Sequence, residues 1–272
     1  MSPALPDRTV AFIGGGNMAS ALIGGLIRDG MDARQLRVVE PHAPQREALW
    51  EQHRVFATPV PDSSIAGAAL VVWAVKPQAF DEAARTCGVS VAEALHLSVM
   101  AGVRIDTIAA TTHARRVVRA MPNTPALIGR GITGLHAGDA VSTADRAWID
   151  AVLRPTGSTV WVASEADLDA VTAVSGSGPA YVLYLLEAMI EAGTALGLTR
   201  EQARVLSQAT IAGTAELAAR SDEPPAMLRA RVTSKGGTTA AAIDTLDRHA
   251  VQAAFVEAIG NARRRARELG AG

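Results

Sequence analysis

Cysteine is almost missing from this chain: Cys87 is the only one in 272 residues. One thiol excludes a disulfide framework within the chain and any metal site built from several thiolates. It also fits a reducing compartment, so a cytoplasmic location is expected. Lysine is nearly as scarce, with Lys76 and Lys235 standing among 26 basic residues. Arginine is not deprotonated in proteins, so a lysine base or Schiff base has only those two candidates. Aromatic residues make up 4% of the chain, which leaves a core of small and aliphatic side chains. An excess of one charge is absent too. The formal net charge of -1 offers no general basic field for nucleic acid. The longest apolar runs, Ala68–Val75 and Ala180–Leu186, fall far short of a bilayer span, so no membrane is expected. The opening MSPALPDRTV has no charged segment leading into an apolar one and does not read as a secretory signal. Histidines are scattered without ligand spacing to carboxylates, and no metal is expected. The one basic cluster, Arg263, Arg264, Arg265 and Arg267, complements a helix C-terminus on a solvated face.

What is present is an alternation. Thr9–Gly14, Leu36–Glu40, Val55–Ala57, Leu70–Val75, Leu95–Met100, Arg116–Arg119, Gly131–Ala137 and Thr159–Val162 read as strands, β-branched and bounded by Gly or Pro. Helical spacing marks Asn17–Arg28, with Met18, Leu22, Ile23, Leu26 and Ile27 on one side, and Ala43–His53. Strands alternating with helices imply βαβ units and a parallel, doubly wound sheet. Past residue 162 the strand signal stops. Asp167–Val174, Pro179–Leu198, Arg200–Ala219, Pro224–Arg231 and Thr239–Leu269, with breaks, read as helix. Thr199 and Gln202 have capping-box spacing, and Gly197 before them suits a helix end. The expected organisation is an α/β domain over 1–162 and an all-α domain over 163–272. Ala180–Ile190 (AYVLYLLEAMI) is apolar almost all round and must be surrounded. Either its own domain encloses it or the same helix of a second chain does, which would make a homodimer or a higher assembly of dimers.

Gly14-Gly15-Gly16-Asn17-Met18-Ala19 fits G-x-G-x-x-A between a strand and a helix. That context is what a Rossmann-type dinucleotide fingerprint requires. Gly14 allows the tight turn, Gly16 lets a pyrophosphate reach the backbone, and Ala19 lets helix and strand pack closely. Glu40 ends the second strand, where a carboxylate accepts from the adenosine ribose and repels a 2′-phosphate. It leans the cofactor towards NADH, although Arg46 or another arginine would permit NADPH. Further along, Ser234–Thr239 (SKGGTT) opens a helix after two glycines. A backbone anion site and an ordinary threonine-capped helix start both fit that pattern.

Six segments resemble the pyrroline-5-carboxylate reductase family, in its order and across residues 12–239. They are FIGGGNMASALIGGL (Phe12–Leu26), AVKPQ (Ala74–Gln78), MAG (Met100–Gly102), RAMPNTPALIG (Arg119–Gly129), DAVTAVSGSGPAYV (Asp169–Val182) and VTSKGGTT (Val232–Thr239). The resemblance implies reduction of a small cyclic imino acid to proline by NADH or NADPH. It implies that Ala74, Val75, Lys76 and Pro77, with Met100, Ala101 and Gly102, line the dinucleotide. Asn123 is then expected towards the nicotinamide and Glu165 near the substrate. The amides of Gly237 and Thr238 would take the substrate carboxylate, and the Thr239 hydroxyl would face the ring nitrogen. Lys235 departs from the family, which more often has proline there. Two rivals share parts of this pattern. β-Hydroxyacid dehydrogenases need a lysine on the first long helix of the second domain, and Pro179–Leu198 has none. A non-catalytic dinucleotide sensor would keep Gly14–Ala19 and damage the substrate loop, which here is intact apart from Lys235. Other imine reductases would share the chemistry.

Overall fold

A computed structural model of the chain describes residues 8–270. Most of the opening segment considered above, residues 1–7, lies outside them. In chain order the elements are β1 (Val10–Ile13), α1 (Asn17–Arg28), β2 (Leu36–Val39), α2 (Ala43–His53), β3 (Ala57–Thr58), β4 (Leu70–Trp73), α3 (Phe80–Cys87), β5 (Leu95–Ser98) and α4 (Ile105–Thr112). There follow β6 (Arg116–Met121), β7 (Gly131–Ala137), α5 (Thr143–Leu153), β8 (Gly157–Trp161) and α6 (Asp167–Val171), which runs into a π-helical turn at Thr172–Gly176. Five helices complete the chain: α7 (Gly178–Ala195), α8 (Arg200–Ala219), α9 (Pro225–Arg231), α10 (Thr238–Arg248) and α11 (Val251–Gly270).

The strands form one sheet in the order β3-β2-β1-β4-β5-β6-β7-β8. Alternate residues feed two cores. Val10, Phe12, Leu70, Val72, Leu95 and Leu97 meet α1, α2 and α5, which contribute Leu22, Ile23, Leu26, Leu49, Ile149 and Val152. Ala11, Ile13, Val71, Trp73 and Val117 meet Phe80, Ala84 and Ile108 of α3 and α4. A strand covered on both faces has no polar alternation, which is why its sequence is continuously apolar.

One strand departs from the expected parallel sheet: β7 runs antiparallel to β6. Between them stand residues 122–130, which hold only the 3-10 turn Thr124–Ile128. A parallel neighbour needs a crossover of about a dozen residues or more, so the chain can only turn back. The strand β8 is again parallel to β7, through the crossover helix α5.

The chain groups into two compact units. The first runs to Ser177 and takes in the chain from Ala262 on; the second is Gly178–Asn261. Strands do end near residue 162, but the compact boundary lies later, because α6 packs on β6 and β7. At Gly134 of β7 a Cβ would come within 2.5 Å of Val171, so the helix sits directly on the strand.

In the second unit α7 and α8 pack on each other. Leu198 N–H reaches Gly193 O at 3.1 Å and Gly197 N–H reaches Thr194 O at 3.0 Å, closing α7 with left-handed Gly197. The capping box of α8 is formed: Thr199 accepts from Gln202 N–H at 3.2 Å and Gln202 Oε1 accepts from Thr199 N–H at 2.9 Å. The helix α7 has no buried residue. Val182, Leu183, Tyr184 and Leu185 are each 47% exposed or more, so the single chain does not surround this helix. Among the described residues no helix is long and apolar enough to cross a membrane.

Candidate active site

In the first unit the strand order reverses between β1 and β4, and a crevice opens outside their carboxyl ends. Gly14 turns the chain there in the left-handed region, φ +97°, and its N–H donates to Val39 O at 2.8 Å. A Cβ on Gly14 would lie 2.7 Å from Ala74 O, so only glycine lets the two loops touch. Gly16 is the N-cap of α1 and has no side chain to fill the first turn; Asn17 and Met18 follow it, exposed and half-buried. The first amides of α1 are therefore left for an anion. Ala19 is wholly buried against the sheet, as close packing of helix and strand requires. A cavity of about 290 Å³ adjoins this turn, lined by Gly14, Val39, Pro41, Val60, Val75 and Glu82. Lys76 and Pro77 continue the loop after β4 and are exposed.

Glu40 is 6% exposed and committed to the backbone. One carboxylate oxygen accepts from Gly15 N–H and the other from His42 N–H, both at 2.8 Å. Gln45 secures the same turn from the other side, donating to Gly15 O at 2.6 Å. Arg46 does not pair with the Glu40 carboxylate; its guanidinium donates to the carbonyls of Glu40 and Pro41 at 3.0 and 2.7 Å. Thus the expected ribose-reading acid also holds the glycine turn in shape.

The turn after β5 carries Met100, Ala101 and Gly102 at the same edge of the sheet, with Ala101 exposed and Gly102 at φ +80°. Glu165 stands behind this turn. Its Oε1 accepts from Ile105 N–H at 2.7 Å and from Arg119 Nη1 at 2.8 Å. Neither partner was legible from spacing, since Glu165 and Arg119 lie 46 residues apart. Asn123 Oδ1 accepts from Ile132 N–H at 3.0 Å and ties its loop to β7.

Gly237, Thr238 and Thr239 stand in the second unit, which is considered by itself. Gly237, not a threonine, is the N-cap of α10, and no side chain caps the helix. The threonine-capped reading of this segment therefore does not hold. Gly236 at φ +73° and the bond from Gly237 N–H to Ser234 O at 3.0 Å form the turn that precedes it. This leaves the Gly237 amide occupied, and the first-turn amides of Thr238 and Thr239 uncapped. Thr239 is half-buried. Among the described residues no group of His, Cys, Asp and Glu is placed to hold a metal ion.

A glycine turn on a helix N-terminus at the switch point of such a sheet defines a Rossmann-type dinucleotide-binding protein. Comparison with known proteins narrows the class. Residues 165–269 match the family profile described as pyrroline-5-carboxylate reductase dimerisation, and residues 9–102 match one described as NADP oxidoreductase, coenzyme F420-dependent. The pyrroline-5-carboxylate reductase of Pseudomonas aeruginosa is 42% identical, with 96% of each chain covered. That of Synechocystis is 37% identical, covering 96% of this chain and 98% of its own. A solved pyrroline-5-carboxylate reductase from Coxiella burnetii superimposes with a TM-score of 0.89 at 35% identity, covering 96% of this chain and 98% of that one. A Plasmodium falciparum pyrroline carboxylate reductase with NADP bound gives 0.87 at 26%, covering 98% and 99%. The chain belongs to the pyrroline-5-carboxylate reductase family. Its second part carries that family's dimerisation region, and the chain is a homo-oligomer-forming oxidoreductase that uses a nicotinamide dinucleotide.

Proposed function

We propose that this chain reduces 1-pyrroline-5-carboxylate to L-proline with NADH as the preferred cofactor. The observation that carries the reading is that one chain holds a dinucleotide turn at Gly14–Ala19 in its first unit and, in its second, a helix N-terminus at Gly237–Thr239 that no side chain caps. Uncapped amides at a helix start suit a carboxylate. The substrate carboxylate is assigned to the first-turn amides of Thr238 and Thr239, because the Gly237 N–H already donates to Ser234 O, and the Thr239 hydroxyl to the ring nitrogen. Hydride leaves the nicotinamide ring for the imine carbon, forming C–H as the C=N π pair moves to nitrogen. A protonated cyclic imine is already a strong electrophile, so orientation of the two reactants supplies most of the catalysis. That demand asks for no general acid beyond the Thr239 hydroxyl.

The preference for NADH rests on Glu40. Two amides fix its carboxylate beside the turn, and among the described residues no arginine or lysine neutralises it. A 2′-phosphate would bring about two further negative charges next to it. The assembly is proposed as a homodimer built on the exposed face of α7, and the cytoplasm is proposed as the location. The test is steady-state oxidation of NADH and of NADPH with pyrroline-5-carboxylate, with proline identified as product. Proline formation with a higher kcat/KM for NADH is expected. Cofactor binding with no turnover of the imino acid would reject the reaction, and a preference for NADPH would reject the Glu40 argument.

A further inference from the structure

The turn after β5 is tied at both ends by polar groups that lie behind the crevice. At its start Ser98 Oγ accepts from Met100 N–H at 3.3 Å. At its end Glu165 Oε1 accepts from Ile105 N–H, the first residue of α4. One helical turn beyond Glu165, Asp169 takes the guanidinium of Arg104 at 3.2 Å, and Asp169 is only 4% exposed. Thus two carboxylates at i and i+4 grip the adjacent residues Arg104 and Ile105. Between the two ties lie Met100, Ala101 and Gly102.

Glu165 Oε1 is held from a second side as well. Its second partner, Arg119, projects from the row in which Trp73, Ser98, Arg119 and His136 face each other across four strands. The Arg119 side chain is 6% exposed, and its Nε is buried with no hydrogen-bond partner among the described residues. Among the described residues its charge is answered by Glu165 alone. Swinging Glu165 towards another ligand would strand a buried guanidinium, a more costly event than loss of a surface pair.

We propose that Glu165 and Asp169 form a clamp that positions the Met100–Gly102 turn against the dinucleotide. Glu165, through its Oε1, is then a positioning residue for the cofactor turn. This rests on the functional reading above, in that the turn borders the cofactor crevice.

The backbone offers a selective test. Arg104 is extended, φ -80° and ψ 157°, and Ile105 is the first helical residue. Proline is accepted at that position, and an extended residue before it is what proline requires. Ile105→Pro therefore removes the N–H that Glu165 holds and leaves the helix, while Ile105→Ala trims the side chain and keeps the N–H. Dissociation constants for the reduced cofactor are read by fluorescence titration, alongside KM for pyrroline-5-carboxylate at saturating cofactor. Glu165→Gln and Ile105→Pro are each expected to weaken cofactor binding about tenfold, the scale of one backbone hydrogen bond to a charged group. Ile105→Ala should stay near wild type, and KM for the imino acid should move less than about twofold in both Ile105 variants. If Glu165→Gln raises KM for the imino acid and leaves cofactor affinity unchanged, Glu165 touches substrate and the clamp is wrong. Wild-type cofactor affinity in Ile105→Pro also overturns it, and that variant decides the matter if Glu165→Gln does not fold. Wild-type protein that binds no dinucleotide would instead overturn the functional reading, and the clamp with it.

Discussion

The buried pair Trp73–His96 makes stability depend on pH in a way that can be worked out atom by atom. Trp73 Nε1–H lies 2.9 Å from His96 Nδ1, and an indole nitrogen can only donate. Nδ1 must then be the acceptor, so the imidazole proton sits on Nε2 and donates to Val91 O at 2.8 Å. Protonating Nδ1 would set two donors face to face in a site with no exposure. Burial, with a smaller contribution from the Arg116 charge, outweighs the bond to Val91 and lowers the His96 pKa from 6.5 to about 4. Below pH 6.5 the unfolded chain takes up a proton that the folded chain refuses, so stability falls as pH falls, until the folded pKa is reached. At ~1.4 kcal/mol per pH unit the whole loss is about 3 kcal/mol, of which about 2 kcal/mol is lost by pH 5. The assay is urea unfolding of wild type and His96→Gln at fixed protein concentration between about pH 7 and about pH 5. Gln keeps an N–H for Val91 and does not titrate. His53, whose pKa is lowered by burial and then by Arg28, contributes equally to both proteins and cancels. His96→Gln is expected to start less stable and to lose about 2 kcal/mol less than wild type over this range. Equal losses in the two proteins would refute the assignment.

Three further outcomes are expected. Gly14→Ala places a Cβ against the Ala74 carbonyl at positive φ; it should cost ~1–2 kcal/mol or more in thermal stability and abolish detectable cofactor binding in titration. Thr239→Val should leave cofactor affinity unchanged and lower kcat/KM for the imino acid by about tenfold to a hundredfold, and full activity would remove Thr239 from the chemistry. Leu183→Asp, on a side chain 56% exposed in the single chain, should halve the mass measured by light scattering, and an unchanged mass would place the subunit contact elsewhere.

Local patterns were legible in proportion to how local their causes are. The limits of α1, α2 and α8 follow directly from apolar spacing, a glycine cap and the Thr199–Gln202 box, all within a few residues of the ends they set. The helix α5 carries an equally good signal, with Ser142 and Asp145 in a capping box and Trp148, Ile149, Val152 and Leu153 buried on one side; no helix was expected there, although that spacing would have placed one. The reversal of β7 depended on the short connection after Met121, which can be counted in sequence once both strands are known. Glu40 was placed correctly at a strand end, but its bond to Gly15 spans 25 residues and its direction is a matter of side-chain geometry. The same holds for Arg119, which no spacing links to Glu165 or to Ile105. Such pairings exist only after the sheet has set the strands side by side.

These long-range bonds explain why the site looks sparse in sequence. Hydride transfer to a protonated imine asks for no strong acid or base, so the polar side chains near the crevice are used to hold backbone. Glu40 and Gln45 fix the turn at Gly15, and Asn123 fixes the loop before β7. Glu165 and Asp169 fix the start of α4. In each case the group aimed at is a peptide or a residue beside one. The side chains whose loss should disturb binding most are therefore the buried ones behind the turns. A screen of exposed polar residues around the crevice would overlook them, and burial together with bonds to backbone amides is the better guide to where this enzyme is sensitive.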